Sequence, residues 1–240
     1  MIRKSLHSES HFANMNLSNY SEFYYKEFRF MIKNLVHHKD NIVTINETMN
    51  CLDAIEILEQ HSLRNAPVVD ATNTLYRGNI YRYHIYKYKF HHPDADLAQV
   101  KVTQFLKNTT RVVHENDTFY QLIFAIRDLP FIAVLDKENV FTGVIQHDVM
   151  INYLAQAWVA DKSGYVLAIQ TRGEKGELNK LARLVNRKAD IQSAVTFEKT
   201  SYDTSTYLMV TLPEYLDVSA VRALVNDLTR RKYDVNVVTL

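Results

Sequence analysis

The sequence has few of the residues that cross-link or interrupt a chain. Its single cysteine, Cys51, excludes an internal disulfide, and only 5 glycines and 4 prolines occur among 240 residues. With 47% hydrophobic residues, packed cores are expected and extensive disorder is not. No run of about 18 apolar residues occurs, so a membrane-spanning helix and membrane insertion are not expected.

An excess of charge of either sign is also missing. Lys and Arg number 28 against 27 Asp and Glu, which argues against nucleic acid or an anionic membrane as the main partner. The first twenty residues are polar and lack the apolar stretch of a signal peptide. We therefore expect a cytoplasmic protein.

An internal duplication is the strongest pattern that is present. A strand, an amphipathic helix and two further strands occur twice, with Thr48 and Thr118 as the matched helix starts. The strands are predicted at 42–45, 66–70 and 75–81 in the first copy, and at 111–113, 132–136 and 141–145 in the second. A further helix is expected after each copy, which gives the order βαββα.

A different pattern begins after a polar joint, Asp161 to Gly164. Strands are predicted at 165–170, 191–198, 207–212 and 235–239. Two helix faces lie between them, marked by Leu178, Leu181, Ala182 and Val185 and by Val218, Val221, Val225 and Leu228. The order βαββαβ predicts a ferredoxin-like sheet covered on one side by two helices.

The duplicated unit resembles the CBS repeat. The resemblance rests on Pro67-Val68-Val69-Asp70, on Gly78-Asn79-Ile80, and on Gly143-Val144-Ile145 in the second copy. The C-terminal segment resembles an ACT domain, with Gly176 and Leu178 at positions of the family's ligand loop. Such a combination is similar to the CbpA-type cyclic di-AMP-binding proteins of Gram-positive bacteria, and secondly to AcuB-like proteins.

The resemblance implies an α+β or α/β chain with three parts. A polar, helical extension would span 1–29, and a CBS pair, or Bateman module, would span 30–160. Its repeats would cover about 30–92 and 100–155, and the ACT-like domain would cover 163–240.

The resemblance also implies that the cleft of the CBS pair binds an adenine-containing ligand. The positions that match the family's contacts in the first repeat are Met31, Ile32, Lys33, Arg64, Asn65, Ala66, Pro67, Tyr81 and Arg82. Those in the second are Lys107, Phe131, Ile132, Gln146, His147 and Asp148. Among them Lys33, Arg64, Arg82 and His147 could donate to phosphates.

Departures from the family's pattern favour a cyclic dinucleotide over a mononucleotide. Where the family has Ser or Thr, this chain has Tyr81 in the first repeat and Gln146 in the second. Where the family has the Asp that holds ribose hydroxyls, the first repeat has His84. In the second repeat Asp148 stands one residue early. Because the ribose 3′-oxygens of cyclic di-AMP are esterified, that ligand depends less on such an Asp. AMP and ATP remain the alternative ligands.

The function implied is a non-enzymatic sensor in second-messenger signalling that dimerises through its ACT-like domain and regulates an unidentified partner protein. An assembly scaffold with a decayed ligand site is the alternative. An enzyme is disfavoured because no phosphate-binding Gly-rich loop, His-Glu-x-x-His motif or nucleophile elbow occurs. The pairs His37-His38 and His91-His92 lack further ligands at metal spacing, so no metal or cofactor is assigned.

Two further alternatives concern single segments. Residues 81–90 alternate aromatic and basic side chains, as in grooves for single-stranded RNA, but a solvated helix with an aromatic face is the preferred interpretation. The loop 172–178 lacks the proline of the ACT ligand loop, and Asp190-Ile191 replaces the family's Asn-Ile. Amino-acid binding by this domain is therefore not expected.

Overall fold

The computed structural model describes residues 32–159, 164–198 and 205–239, so the predicted N-terminal extension lies outside the described residues. The chain divides into two compact units, Met1–Met150 and Ile151–Leu240. The division precedes the polar joint predicted at 161–164, of which only Gly164 is described.

Two repeats, each with the order βαββα, make up unit 1, except that the last helix of the second repeat continues past Met150. A short strand β1 (His37–His38) and a 3₁₀ turn (Lys39–Asn41) precede the first repeat. The first repeat consists of β2 (Ile45–Asn46), α1 (Cys51–Gln60), β3 (Asn65–Val69), β4 (Tyr76–Tyr81) and α2 (Arg82–His91). A second 3₁₀ turn (Val102–Phe105) leads to β5 (Val112–His114), α3 (Phe119–Ile126), β6 (Phe131–Leu135), β7 (Phe141–Gln146) and α4 (His147–Ala157).

The first strand is shorter than the sequence predicts. The apolar run 42–45 suggests a strand throughout, but Ile42 caps the 3₁₀ turn, with its N–H directed at the carbonyl of Lys39, and pairing begins only at Ile45. A run this short does not determine which of its residues find a partner strand.

The helix caps show which positions of the two repeats correspond. The side chain of Asn50 accepts the N–H of Asp53 at 2.9 Å, whereas Thr118 forms a reciprocal capping box with Gln121. Asn50, not Thr48, is therefore the equivalent of Thr118. Because α1 has 10 residues and α3 has 8, the second copy is shorter within its helix rather than in the loop after it.

The two repeats exchange the segments that precede them. Strand β1 pairs with β7 of the second repeat and extends the sheet β1-β7-β6-β5, while β2, β3 and β4 form the other sheet. Reciprocally, Lys107 bridges Asn79 of β4 through two backbone hydrogen bonds of 2.7 and 2.9 Å. Each closing strand is thus covered by the segment leading into the other repeat.

Glycine is required where these segments cross. A Cβ on Gly78 would lie 2.9 Å from the carbonyl oxygen of Lys107, and its φ of +143° suits only glycine. A Cβ on Gly143 would collide with the backbone carbonyl of His37. The two glycines that mark the repeats in the sequence therefore mark the crossing points of the structure.

Unit 1 contains a core in the first repeat and a second cluster that joins Phe131 and Phe141 of the second repeat to Val69 of the first. In the first, Ile45, Leu58 and Ile80 are fully buried, together with Cys51 at the start of α1. Burial raises the pKa of the Cys51 thiol to about 11, so the thiol is protonated at neutral pH. This cysteine acts as a small apolar core residue, as its sequence neighbours predict.

Unit 2 contains β8 (Tyr165–Thr171), α5 (Glu177–Asn186), β9 (Ser193–Phe197), β10 (Thr206–Leu212), α6 (Val218–Arg230) and β11 (Val235–Thr239). The strand order is β11-β8-β10-β9, and every neighbouring pair is antiparallel. Alternate residues of the central strands, such as Leu167, Ile169 and Val210, are buried with the inner faces of both helices.

Two of the predicted helix-face residues of unit 2 are exposed. Leu178 and Val218 are 52% and 54% exposed, whereas Leu184 and Leu224 are buried. At the start of α5 the inward position belongs to Glu177, whose carboxylate binds the preceding loop. Since successive helical residues point about 100° apart, Leu178 is turned towards solvent.

Candidate functional site

A cleft of about 690 Å³ in unit 1 is the candidate site. Both repeats contribute, through the segment around β1, the loop from α1 to β3, the start of β6, and the end of β7 with the first turn of α4. Its lining residues are His37, Asn41, Ile42, Val43, His61, Ser62, Leu63, Arg64, Asn65, Pro67, Pro130, Phe131, Val144, Gln146 and Asp148. A cleft of this volume is large enough for a small organic ligand.

Matched backbone contacts position the loops at the cleft. The N–H of His147, the first residue of α4, donates to the carbonyl of Pro130 at 3.0 Å. In the first repeat the N–H of Arg82 donates to the carbonyl of Arg64 at the same distance. The loop before each inner strand is therefore fixed to the start of the helix that follows the hairpin.

The lining combines apolar walls with polar groups that are free to bind. Arg64 is exposed, and its guanidinium forms no hydrogen bond or ion pair with the described residues. Within the described part of the chain, the Asp148 side chain accepts one hydrogen bond, from the N–H of its neighbour Val149 at 2.9 Å. Apolar side chains such as Ile42, Leu63 and Phe131 complete the walls. Such a lining suits a ligand with a flat apolar part and anionic groups.

The sequence-predicted residues fall into two groups. Arg64, Asn65, Pro67, Phe131, Gln146 and Asp148 line the cleft together. Ile32, Lys33, Ala66, Tyr81, Arg82, Lys107, Ile132 and His147 are not among its lining residues, and Met31 lies outside the described residues. Ile32, Ala66 and Ile132 are at most 1% exposed, because their side chains pack into the cores.

Two residues of the second group have partners elsewhere in unit 1. Arg82 Nη1 lies 2.6 Å from Glu59 Oε1, and the Tyr81 hydroxyl accepts a hydrogen bond of 2.9 Å from Asn108. The Tyr86 hydroxyl also donates to Glu59 at 2.6 Å. This hydrogen bond, together with Arg82, lowers the pKa of Glu59. In this arrangement Arg82 is committed to an ion pair.

Several lining residues were missed from the sequence. The segment before the first repeat that lines the cleft runs from His37 to Val43, which is later in the chain than the predicted positions 31–33. His61, Ser62 and Leu63 directly precede Arg64, so considering the whole loop after α1 would have found them. Val144 lies between predicted residues, on the strand that β1 covers.

The loop before α5 in unit 2 has its donors occupied by the chain itself. The Glu177 carboxylate is buried, and its Oε2 accepts the backbone N–H groups of Arg172, Gly173 and Glu174 at 2.9, 3.0 and 3.3 Å. Converging backbone N–H groups of this kind form an anion-binding concavity. Here its occupant is a side chain.

Within 32–159, 164–198 and 205–239, no group of three or more His, Cys, Asp or Glu residues is placed to hold a metal ion. No helix in those ranges has the length and apolar character needed to cross a membrane.

Comparison with known proteins identifies the first repeat. Residues 31–91 match the model of the CBS domain family. A search of curated protein sequences finds no significant match.

Solved structures similar to this chain include two CbpB proteins and a CBS domain pair/ACT domain protein. CbpB from Streptococcus agalactiae is 18% identical, with a TM-score of 0.48 over 57% of this chain and 87% of that one. CbpB from Listeria monocytogenes, in complex with c-di-AMP, is 16% identical, with a TM-score of 0.46 over 53% and 96%. The CBS domain pair/ACT domain protein from Thermotoga maritima is 18% identical, with a TM-score of 0.44 over 52% and 97%.

Proposed function

We propose that this chain is a cytoplasmic, non-enzymatic sensor that binds cyclic di-AMP in the cleft of unit 1. The observation that carries the proposal is a cleft of about 690 Å³ lined by both repeats, in which Arg64 pairs with none of the described residues. Since the cleft draws on both repeats, a bound ligand would stabilise one arrangement of the pair.

The polar lining supports a cyclic dinucleotide over a mononucleotide. Tyr81 and His84 offer no carboxylate for ribose hydroxyls on the first-repeat side. On the second-repeat side Asp148 and Gln146 can accept from a ribose 2′-hydroxyl or an adenine amino group. Arg64 can donate to a phosphodiester. AMP or ATP, as in AcuB-type proteins, is the second candidate, favoured by the presence of Asp148.

The proposal also includes dimerisation through unit 2, which we propose to be an ACT-like domain. Its βαββαβ order and antiparallel sheet β11-β8-β10-β9 fit a ferredoxin-like domain. The donors of its loop 172–174 are already bound to Glu177. Assembly into a homodimer therefore suits this unit better than ligand binding, and ligand-dependent changes in the dimer would alter the binding of a regulated partner protein.

Melting temperatures measured with a panel of ligands test the proposal. The panel comprises cyclic di-AMP, cyclic di-GMP, AMP, ADP, ATP and S-adenosylmethionine. A ligand present at about 100 times its Kd should stabilise the folded chain by roughly 2.7 kcal/mol. We expect the largest shift with cyclic di-AMP. If no adenine ligand changes the melting temperature, the sensor proposal is contradicted and the assembly scaffold with a decayed ligand site is the remaining alternative.

Substitution of Arg64 locates the binding. We expect Arg64→Ala to weaken cyclic di-AMP binding by about 1.5 to 3 kcal/mol, because a charge-assisted hydrogen bond to phosphate is lost. Arg127→Ala is the matched control, since Arg127 is an exposed loop cation before β6 that pairs with Asp128 and does not line the cleft. Equal affinities of the two variants would remove Arg64 from the site.

A further inference from the structure

One edge of the sheet in unit 2 is open to further pairing. Strand β11 ends the order β11-β8-β10-β9 and, among the described strands, pairs only with β8. Its five residues, Val235–Thr239, include no charged residue and no proline, and its register with β8 has no bulge. Charges, prolines and bulges are the features by which natural proteins usually keep an edge strand from pairing further. β11 is therefore able to accept another strand.

The backbone groups that face this edge follow from the register. The N–H of Gln170 donates to the carbonyl of Asp234 at 2.9 Å, and successive residues of an antiparallel strand face their partner strand alternately. Asn236 and Val238 therefore face β8. The N–H and C=O groups of Val237, at the centre of the strand, point to the free edge.

An apolar groove of about 290 Å³ lies beside the same edge, between α6 and β11. Its lining includes Val218, Val221 and Val225 of α6 and Val237 of β11. Although they are apolar, Val218 and Val237 are 54% and 43% exposed. A strand added to β11 would place alternate side chains over this groove, as in β-augmentation, and would cover both valines.

The groove also carries a positive charge that the described residues do not neutralise. Arg222 of α6 lines it, is exposed, and forms no hydrogen bond or ion pair with the described residues. The other polar lining residues, Tyr165 and Asn226, are uncharged. A carboxylate on the added strand could pair with the guanidinium through two parallel hydrogen bonds. Pairing β11 with that of a second copy would instead bring two uncompensated Arg222 side chains together, which disfavours this occupant.

The opposite edge of the sheet, β9, offers less apolar surface. Ala194 and Thr196 lie opposite the buried residues Val210 and Leu208, so they face the side of the sheet that the helices cover. One of the two is small and the other is polar. A strand added at β9 would therefore bury less apolar surface on this side than one added at β11.

We propose that the β11 edge binds an extended segment of a partner protein, in which apolar side chains alternate along the strand and a carboxylate pairs with Arg222. The inference goes beyond the proposed function, because it concerns a surface of unit 2 and needs no ligand in the cleft of unit 1. Main-chain hydrogen bonds to Val237 provide affinity for any extended segment, whereas the exposed valines and Arg222 select its sequence.

Titration of the full chain with a fluorescently labelled synthetic peptide tests the inference. The peptide, of about nine residues, carries valine and threonine at alternate positions, with one central valine replaced by glutamate. A matched peptide has lysine in place of the glutamate. In fluorescence anisotropy we expect the glutamate peptide to bind with a Kd about ten-fold lower than that of the lysine peptide, because its carboxylate pairs with Arg222.

Charge reversal assigns this preference to Arg222. In Arg222→Glu the preference should invert, so that the lysine peptide binds about ten-fold more tightly than the glutamate peptide. Arg230→Glu is the control, since Arg230 is an exposed cation of the same helix and lies outside the lining. It should keep the preference of the wild type.

Removal of a hydrogen-bond donor tests the pairing with β11. Val237→Pro deletes the N–H that points to the free edge and leaves Asn236 and Val238 able to bond to β8, so peptide binding should be lost. Circular dichroism shows whether this variant is folded. A glutamate peptide methylated on its backbone nitrogens makes the same test on the unchanged chain, and it should not bind.

Three results would overturn the inference: no binding of the glutamate peptide, equal binding of its methylated form, or an unchanged preference in Arg222→Glu. A dimer, detected by sedimentation, that dissociates when the peptide binds or in Val237→Pro would assign the edge to a second copy and overturn the partner assignment. Calorimetry with cyclic di-AMP tests the proposed function separately, since none of these substitutions lies in the cleft lining. Failure of one proposal therefore leaves the other standing.

Discussion

At the scale of single residues, Glu177 shows how one carboxylate can set the role of a loop. Its oxygen accepts three backbone N–H groups that would otherwise be available to an external anion. In the sequence Glu177 is only one of several charged residues between Gly173 and Leu178. Its inward orientation follows from satisfying buried donors, which a helical periodicity of apolar residues does not reveal.

Replacing Glu177 should destabilise unit 2. We expect Glu177→Ala to lower the free energy of unfolding by about 2 kcal/mol, because backbone donors of a partly buried loop lose their charged acceptor. Urea unfolding monitored by fluorescence reports on this unit, since Trp158 is the single tryptophan and its carbonyl accepts from Ser193 and Thr211 of the sheet. Glu174→Ala, in the same loop and exposed, should change stability little. Equal effects of the two substitutions would contradict this role of Glu177.

At the scale of elements, the contact between β1 and β7 shapes both the sheet and the cleft. It brings His37 and the residues up to Val43 to the cleft, and it depends on the missing side chain of Gly143. The sequence pattern marks Gly143 as part of a repeat but does not say what crosses it. The resemblance to the family places the site segment at 31–33, whereas the cleft is lined by His37 and by residues 41–43.

We expect Gly143→Ala to separate β1 from β7. The added methyl group meets the carbonyl of His37, and a displacement of this kind costs about 1 to 3 kcal/mol. The measurement is urea unfolding together with the Kd for cyclic di-AMP, which should rise because part of the cleft wall moves. Gly176→Ala adds a methyl group that meets no atom within 4 Å, although its φ of +83° is unfavourable. It should leave the Kd unchanged, and an unchanged Kd in Gly143→Ala would mean that β1 is dispensable for binding.

At the scale of the whole molecule, the order of elements could be predicted and the site only in part. The duplication around Asp70 and Asp136 predicts two equivalent repeats in unit 1. Alternating apolar residues predict the strands of unit 2. The predicted site residues that line the cleft lie in β3, at the ends of β6 and β7, at the start of α4, or, for Arg64, in the loop before β3. Those that do not are mostly core residues or, like Arg82, have partners on another element. Sequence position alone does not distinguish these roles.

Hydrogen exchange of the full chain can map the ligand. We expect cyclic di-AMP to slow exchange in segments 37–43, 61–67 and 144–148, because these backbones surround the cleft in unit 1. The segment 172–178 of unit 2 should exchange at the same rate with and without ligand, since its donors are already bonded. Protection confined to unit 2 would contradict the assignment of the cleft.

The pairing of β1, which precedes the first repeat, with β7 of the second repeat also sets an order of folding during synthesis. His37 pairs with Val144, which follows it by 107 positions (144 − 37 = 107). At about 5–20 residues per second, the ribosome needs at least several seconds to supply that partner after His37 has emerged. The sheet of β2, β3 and β4 can form during this interval, whereas β1 must wait. The wall of the cleft that contains His37 is therefore completed only after both repeats have been translated.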